Sequence, residues 1–163
     1  MDAARPARPE DLDAVLALAR QAIAELSKLR GGEVWRLRTA RREPLDAALL
    51  GAIEARAGAS AEGTAVVGTI DEAVVGYGIS RIECLADESL LAVVTDLYVE
   101  PEARGVGVGE GILDLLVDHA TALGAIGIDS LALPGDRSTK NFFEAFGLKA
   151  RAIVVHRALG GPS

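Results

Sequence analysis

A glycine-rich segment near the middle of the chain has the composition of an anion-binding turn. It reads Arg104-Gly105-Val106-Gly107-Val108-Gly109, and it lies between an apolar run that ends at Val99 and a helical pattern that begins near Val108. Glycine lets the backbone approach a ligand closely, and the free N–H groups in the first turn of a helix favour an anion. The segment therefore predicts a pyrophosphate site. A turn that only permits close packing of a strand against a helix is the alternative.

Two other phosphate-binding motifs do not fit this segment. The dinucleotide-binding pattern G-x-G-x-x-G needs a sixth-position glycine, but that position is Glu110 when the count starts at Gly105 and Ile112 when it starts at Gly107. A P-loop ends in Gly-Lys-Ser or Gly-Lys-Thr, and neither tripeptide occurs in the chain. Dinucleotide binding is therefore the weaker hypothesis, and nucleotide hydrolysis is disfavoured.

The run Thr95–Gly109 resembles the strand and acetyl-CoA loop of the GNAT superfamily of N-acetyltransferases. The family pattern is Arg or Gln, two residues, Gly, one residue, then Gly or Ala, and Arg104, Gly107 and Gly109 meet it. A second run, Asn141–Leu148, is similar to the family's second helix near coenzyme A, usually written Phe-Tyr-Glu-x-x-Gly-Phe. The resemblance covers roughly residues 5 to 158.

The resemblance implies a co-substrate, a reaction and a site. Acetyl-CoA would donate its acetyl group to a primary amine of a small molecule, peptide or protein, which attacks the thioester directly. In the family the fourth and fifth strands splay apart, and the pantetheine arm bonds to the exposed backbone of the fourth strand. Carried over to this chain, the cofactor-binding residues are Leu97, Tyr98, Val99, Arg104, Gly105, Val106, Gly107, Val108, Gly109, Glu110 and Asn141.

The catalytic groups of the family are matched less well. A base, often a carboxylate acting through water, must remove a proton from the acceptor ammonium. Many relatives carry Glu at the position of Thr95, so the adjacent Asp96 is the predicted base, although strand alternation turns its side chain to the opposite face. Phe143 stands where the family's proton-donating Tyr is expected, and Asp136 replaces an Asn that contacts the cofactor arm. A non-catalytic acyl-CoA-binding or regulatory domain is therefore the alternative to an enzyme.

Hydrophobic periodicity predicts the helices and strands on which these residues lie. Helical spacing predicts helices over about residues 10–27, 44–57, 108–123 and 138–146, and apolar or β-branched runs predict strands over about 64–70, 73–82, 90–99, 128–133 and 149–159. Residues 33–42 lack a clear period and predict a loop or a substrate lid. We therefore predict an α/β fold with a mixed, mostly antiparallel central sheet flanked by helices, in one domain over residues 1–163.

Composition and charge disfavour several classes of function. The 17 basic and 24 acidic residues give a formal net charge of −7, which repels nucleic acids and anionic lipids. The densest basic cluster, residues 36–42, is flanked by Glu33 and Glu43, so we expect a solvated loop of mixed charge there. No apolar run approaches the roughly 18–20 residues of a membrane span. The expected partner is thus an amine acceptor, with neither nucleic acid nor membrane.

The single cysteine and the two histidines point to structure rather than chemistry. One cysteine permits no intrachain disulfide, which favours a reducing, cytoplasmic location. Cys84 has the residue type of an acyl-enzyme nucleophile, but we expect a buried strand cysteine. His119 and His156 are expected at the surface, and their distance in sequence offers no metal-ligand spacing. A homodimer is one of the assemblies compatible with these features.

Overall fold

Five strands form one mixed sheet in the order β1-β2-β3-β4-β5 in the computed structural model, which describes residues 3–55 and 63–160. Neighbouring strands are antiparallel from β1 to β4, and β5 runs parallel to β4. The predicted fold class is therefore confirmed. The strands are β1 (Ala3–Pro6), β2 (Gly63–Ile70), β3 (Ala73–Cys84), β4 (Leu90–Val99) and β5 (Gly127–Asp129).

Helices pack on both faces of this sheet. They are α1 (Leu12–Ser27), α2 (Gly32–Arg38), α3 (Leu45–Ala55), α4 (Val108–Ala122) and α5 (Arg137–Ala145). The apolar faces of α1 and α3 share one buried cluster with the sheet, and those of α4 and α5 share the other. The predicted loop over residues 33–42 is wrong, because α2 occupies most of it. Seven residues make only two turns, too few for a helical period to show in the sequence.

Glycines on β2 and β3 let α4 lie close against the sheet. A Cβ atom added to Gly68 would lie 2.4 Å from Val108 Cγ1, and one added to Gly78 would lie 2.6 Å from Ile112 Cγ2. Ile112 is fully buried. The close approach holds the start of α4 against the middle of the sheet, and so it positions the glycine-rich turn that precedes α4.

This packing predicts opposite effects for two glycine-to-alanine substitutions. Gly78→Ala forces a methyl group against Ile112 and should lower the free energy of unfolding by about 1–3 kcal/mol. Gly51 lies in α3 with nothing within 4 Å of an added Cβ, so Gly51→Ala should raise the free energy of unfolding by about 0.5–1 kcal/mol. Urea unfolding followed by circular dichroism measures both, and a stable Gly78→Ala variant would contradict the packing argument.

Two predicted strands near the C-terminus do not form as expected. The strand predicted over residues 128–133 ends at Asp129, and residues 149–159 contain no strand at all. A strand needs a neighbour for its backbone hydrogen bonds. Within the described ranges, β5 has β4 on one side and no strand on the other. The composition thus favours strands in these segments, but among the described residues no strand pairs with residues 130–133 or 149–159.

Other predictions concern single residues and the exposed surface. Cys84 is exposed at the end of β3, so the prediction of a buried cysteine is wrong. His119 is half-buried on α4, and His156 is exposed. In the part of the chain that the structure describes, no helix is both long and apolar enough to cross a bilayer, and no three potential metal ligands come together.

Candidate active site

A gap opens between β4 and β5 along the second half of β4. The two strands pair only over Leu91–Val93, whereas β3 follows β4 as far as Val99. From residue 94 onward, the edge of β4 that faces away from β3 has no strand beside it in the described structure. An unpaired strand edge presents N–H and C=O groups that can bind an amide-bearing ligand. The predicted cofactor-binding residues Leu97, Tyr98 and Val99 all lie on this stretch.

The turn that leads into α4 is open to solvent. Its first two glycines adopt positive φ angles, which favour glycine over other residues. Gly105 has φ +83°, and Gly107, the N-cap of α4, has φ +92°. An added Cβ would meet nothing within 4 Å at either position, so close packing does not explain these glycines. The first intrahelical bond runs from the N–H of Gly111 to the carbonyl of Gly107 over 3.0 Å. The N–H groups without an intrahelical acceptor are those of Val108, Gly109 and Glu110.

The third glycine of the turn lies at ordinary contact distance from two neighbouring elements. A Cβ atom added to Gly109 would lie 3.4 Å from the Phe142 ring and 3.8 Å from Val99 Cγ2. The start of α4, the end of β4 and α5 therefore meet at this residue. Phe143 is buried beside Phe142, with 5.6 Å between ring centroids, and Asn141 is exposed on the same helix. An added Cβ would make only ordinary contacts at Gly109, so close packing does not require this glycine, whereas positive φ accounts for Gly105 and Gly107.

The guanidinium group of Arg104 ties the turn to β4 and α1. Its Nε donates to the carbonyl oxygen of Val99 over 2.8 Å, and its Nη2 lies 3.1 Å from Glu25 Oε1. The same group lies 5.3 Å from the centroid of the Tyr98 ring. The carboxylate of Glu25 also accepts a hydrogen bond of 2.8 Å from the Tyr98 hydroxyl. Glu25 is absent from the predicted site. The sequence does offer one indication of Glu25. It lies seven residues after Leu18, so a charged side chain stands on the otherwise apolar face of α1.

The two tyrosines of the chain should resist ionisation in the folded state. Burial and the hydrogen bond to Glu25 raise the pKa of Tyr98 to about 12, and burial beside Asp96 raises the pKa of Tyr77 further. The protonated tyrosines contribute fully to the free energy of unfolding below the unfolded-state pKa of about 10. This contribution is lost as the pH rises through the folded-state pKa. We expect tyrosinate absorbance of the native chain to rise only above pH 10. A native titration with a midpoint near 10 for either ring would contradict these contacts.

A β-bulge in β4 brings Thr95 and Asp96 to the same place. The register passes from Ile79 opposite Asp96 to Ser80 opposite Val94, so Thr95 has no residue opposite it. The Thr95 hydroxyl donates to Asp96 Oδ1 over 2.7 Å. The predicted opposite orientation of these side chains is therefore wrong, because a bulge interrupts strand alternation.

Asp96 lies in a polar cluster that the sequence does not predict. Its Oδ1 lies 2.5 Å from Arg41 Nη2, while its Oδ2 accepts longer bonds of 3.3 Å from Arg41 Nε and 3.2 Å from the Tyr77 hydroxyl. The Asp96 side chain is only 10% exposed. Burial of the Arg41 guanidinium lowers its pKa. The hydrogen bond to Asp96 and the negative charge of that carboxylate have the larger combined effect, so the pKa of Arg41 is raised. Arg41 is therefore a partner of the predicted base and not a residue of a solvated loop.

The turn between α1 and α2 crosses to the segment that follows β5. A Cβ atom added to Gly135 would lie 2.7 Å from the backbone nitrogen of Arg30, and one added to Gly31 would lie 3.3 Å from Pro134 Cδ. The gap between β4 and β5 is thus bounded by this turn as well as by α4. Asp136, next along the chain, caps α5 by accepting a 3.3 Å hydrogen bond from the N–H of Thr139.

Comparisons with solved structures show which proteins share this fold. The tetramutant of the BH1408 protein from Bacillus halodurans is 19% identical, with a TM-score of 0.75 over 96% of this chain and 99% of that chain. Glucosamine-6-phosphate N-acetyltransferase from Arabidopsis thaliana is 16% identical, with a TM-score of 0.70 over 98% and 99%. AAC(6')-Iy in complex with the bisubstrate analog CoA-S-monomethyl-acetylneamine is 14% identical, with a TM-score of 0.73 over 99% of both chains.

The sequence itself matches a family model. None of the curated proteins matches the chain significantly in sequence. The model of the Acetyltransferase (GNAT) family matches residues 22–148, a range that includes β4, the glycine-rich turn, α4 and α5. Because this match spans most of the chain, the protein belongs to the GNAT acetyltransferase family.

Proposed function

We propose that the chain transfers the acetyl group of acetyl-CoA to a primary amine of a small molecule, a peptide or a protein. The observation that carries this proposal is the meeting of the open β4 edge with the N-terminus of α4. An added Cβ at Gly109, in the first turn of α4, would lie 3.8 Å from Val99 at the end of that edge. One continuous surface therefore offers an edge for an amide-bearing arm and a helix terminus for a pyrophosphate.

The residues present fit acetyl-CoA as the co-substrate. The N–H groups of residues 108–110 would bind the pyrophosphate, and the backbone of Leu97–Val99 would bind the pantetheine arm. Arg104 supports this surface by holding the Val99 carbonyl, and Asn141 lies exposed at the neighbouring helix. The related fold of AAC(6')-Iy, solved with a bisubstrate analog that contains CoA, supports the same class of ligand here. The GNAT family uses acetyl-CoA as its donor, and that supports the acetyl group in particular.

The proposed reaction needs one proton acceptor from the protein. The amine nitrogen attacks the thioester carbon, a C–N bond forms, and the C–S bond breaks. The ammonium proton passes through water to Asp96, where Oδ2 has the longer hydrogen bonds and so the greater capacity to accept another. After the attack the nitrogen loses a second proton, which passes through water to the departing thiolate and gives free CoA. A cavity of about 160 Å³ lined by Arg41, Ile79 and Thr95 lies next to Asp96 and offers space for part of the acceptor.

A second candidate is an acyl-CoA-binding domain without turnover. Two observations favour it. The buried ring at Phe143 has no proton to donate, and Asp96 is engaged by Arg41 through both of its oxygens. These features weaken acid and base catalysis but leave the surface proposed for acetyl-CoA intact.

The substitution Phe143→Tyr separates these candidates because it adds one hydroxyl at the position of the family's acid. In an active enzyme the rate should stay level or rise modestly, since a thiol of pKa about 8.5 is already a tolerable leaving group near neutrality. In a domain that lost its acid, the same change should raise the rate of acetyl transfer by up to roughly 10²- to 10⁴-fold over the wild type. Phe146→Tyr, one turn along and partly buried against the same cluster, is the matched control for the added hydroxyl.

The direct test of the proposed function is release of free CoA from acetyl-CoA in the presence of a panel of primary amines. We expect release that depends on the amine and that yields the acetylated amine by mass spectrometry. If the wild type and Phe143→Tyr both bind acetyl-CoA but consume it with none of the amines, the acetyltransferase assignment fails and the acyl-CoA-binding assignment replaces it.

A further inference from the structure

The cavity beside Asp96 is lined by two arginines that come from different parts of the fold. Arg41 precedes α3, and Arg81 lies on β3 opposite Gly63. Apolar side chains of α3 and β3 complete much of the lining, namely Ala52, Ala55 and Ile79. The cavity volume of about 160 Å³ is smaller than the roughly 300–1,000 Å³ of pockets for drug-sized ligands. The cavity therefore has room for a small acceptor.

The two arginines stand at different depths in this cavity. Ile79 is opposite Asp96 in the sheet and is buried with α1 and α3, and Arg81 follows it by two residues on the same face of β3. Two residues of a strand span about 7 Å. The Arg81 side chain is 53% exposed, whereas that of Arg41 is 22% exposed. Asp96 and Arg41 thus form the inner end of the cavity, and Arg81 forms the outer end.

Each arginine retains donors beyond those that its carboxylate partner uses. Arg41 donates to Asp96 through Nε and Nη2, and Arg81 donates to Glu83 through Nη1 over 3.0 Å. Among the described residues, no hydrogen bond involves Arg41 Nη1 or Arg81 Nη2. A guanidinium has five N–H donors in a planar fork that matches the geometry of a carboxylate. An anionic group could therefore bind here while both ion pairs stay in place.

The arrangement of charges in the cavity distinguishes between kinds of amine. An acceptor ammonium is attracted to Asp96 at the inner end, but a second cationic group would meet the positive charge of Arg81 at the outer end. A neutral tail would leave the donors of Arg81 to water. An anionic group at that end would instead form charge-assisted hydrogen bonds, which are the stronger kind. The cavity is therefore complementary to a small molecule that carries both an ammonium and an anionic group.

We propose that the acceptor is a small amine that also carries a carboxylate, and that Arg81 determines this specificity. The inference rests on the acetyltransferase function proposed above. The ammonium of the acceptor lies toward Asp96, and its carboxylate binds Arg81 at the outer end of the cavity. The carboxylate takes no part in the bonds that form and break, so its effect is on binding and orientation of the amine.

Matched pairs of amines test this specificity through the rate of CoA release. Glycine, β-alanine and γ-aminobutyrate are each compared with ethylamine, propylamine and butylamine, in which a methyl group replaces the carboxylate. In at least one pair, kcat/KM of the wild type should be at least about tenfold higher for the amino acid, the effect of one charge-assisted hydrogen bond. A preference for the alkylamine in every pair, or equal rates, would overturn the proposal while the proposed acetyltransferase function stands.

The substitutions Arg81→Gln and Glu83→Gln should shift KM for the preferred amino acid in opposite directions. Arg81→Gln removes the proposed partner of the carboxylate and should raise KM at least about tenfold, with less than about a twofold change for the matched alkylamine. Glu83→Gln removes a competing carboxylate beside Arg81 and should lower KM. Arg20→Gln is the control, because Arg20 forms a similar ion pair with Glu43 and is 54% exposed, but does not line the cavity.

A binding measurement separates failure of this inference from failure of the proposed function. If the protein acetylates no amine, the proposed function fails, and ligand-detected NMR then measures binding of the three amino acids to the folded wild type and to Arg81→Gln. Binding that is lost in Arg81→Gln but not in Arg20→Gln would support the carboxylate site. No binding to the wild type, or equal effects of the two substitutions on KM or on binding, would overturn it.

Discussion

Replacing Asp96 by Asn is expected to lower turnover by about a hundredfold, with little change in acetyl-CoA affinity. Asparagine keeps the shape of the side chain but cannot accept the ammonium proton at neutral pH. The proposed cofactor surface lies at the β4 edge and the start of α4, whereas the Asp96 carboxylate contacts Arg41 and Tyr77. Turnover and binding should therefore separate in this variant.

The substitution Tyr77→Phe is the control for Asp96→Asn. It removes the hydroxyl that donates to Asp96 Oδ2 but leaves the carboxylate and its contact with Arg41 in place. We expect a change of less than about tenfold, the size of one lost hydrogen bond. A loss of only a few-fold in Asp96→Asn, or an equal loss in both variants, would return Asp96 to a structural role as the partner of Arg41.

Elements with strong local signals were predictable from the sequence. The strand predicted over residues 90–99 is β4, and α4 begins at Val108 as predicted. A glycine-rich turn separates a β-branched run from an apolar stripe there, so both ends are marked within a few residues. β1 has no such signal, since Ala3–Pro6 is short and contains a proline. Its strand conformation comes from pairing with β2, which lies about sixty residues away in the sequence.

The contacts of the site were less predictable than its elements. The glycine turn is a local motif that the sequence alone reveals, but the partners of Asp96 and Tyr98 are distant in sequence. Arg41 lies 55 residues from Asp96, and Glu25 lies 73 residues from Tyr98. The bulge at Thr95 could not be predicted from the periodic pattern either. It changes the alternation of side chains along β4, and no glycine in the sequence marks its position. Side-chain pairing of this kind is decided by the tertiary fold.

The C-terminal region shows a different limit of sequence-based prediction. The β-branched residues at 153–155 favour a strand by their composition, but a strand exists only when another backbone pairs with it. Propensity can be predicted from the segment alone, whereas the partner cannot.

Two glycines at opposite ends of α4 allow a controlled test of whether acetyl-CoA binds at the start of this helix. Gly107 precedes α4 with φ +92°, and Gly124 follows α4 with φ +77°. An added side chain meets nothing within 4 Å at either position. Glutamate therefore brings the same charge and a similar backbone strain to both sites. Only the one at Gly107 would stand where the pyrophosphate is proposed to bind.

Calorimetric titration of acetyl-CoA into the wild type, Gly107→Glu and Gly124→Glu tests this placement. We expect Gly107→Glu to bind roughly a hundredfold more weakly, a loss of about 2.8 kcal/mol, because the new carboxylate repels the pyrophosphate and fills its space. Gly124→Glu should bind within about twofold of the wild type, or about 0.4 kcal/mol. Unchanged affinity in a folded Gly107→Glu variant, or equal weakening in both variants, would contradict the site at the start of α4.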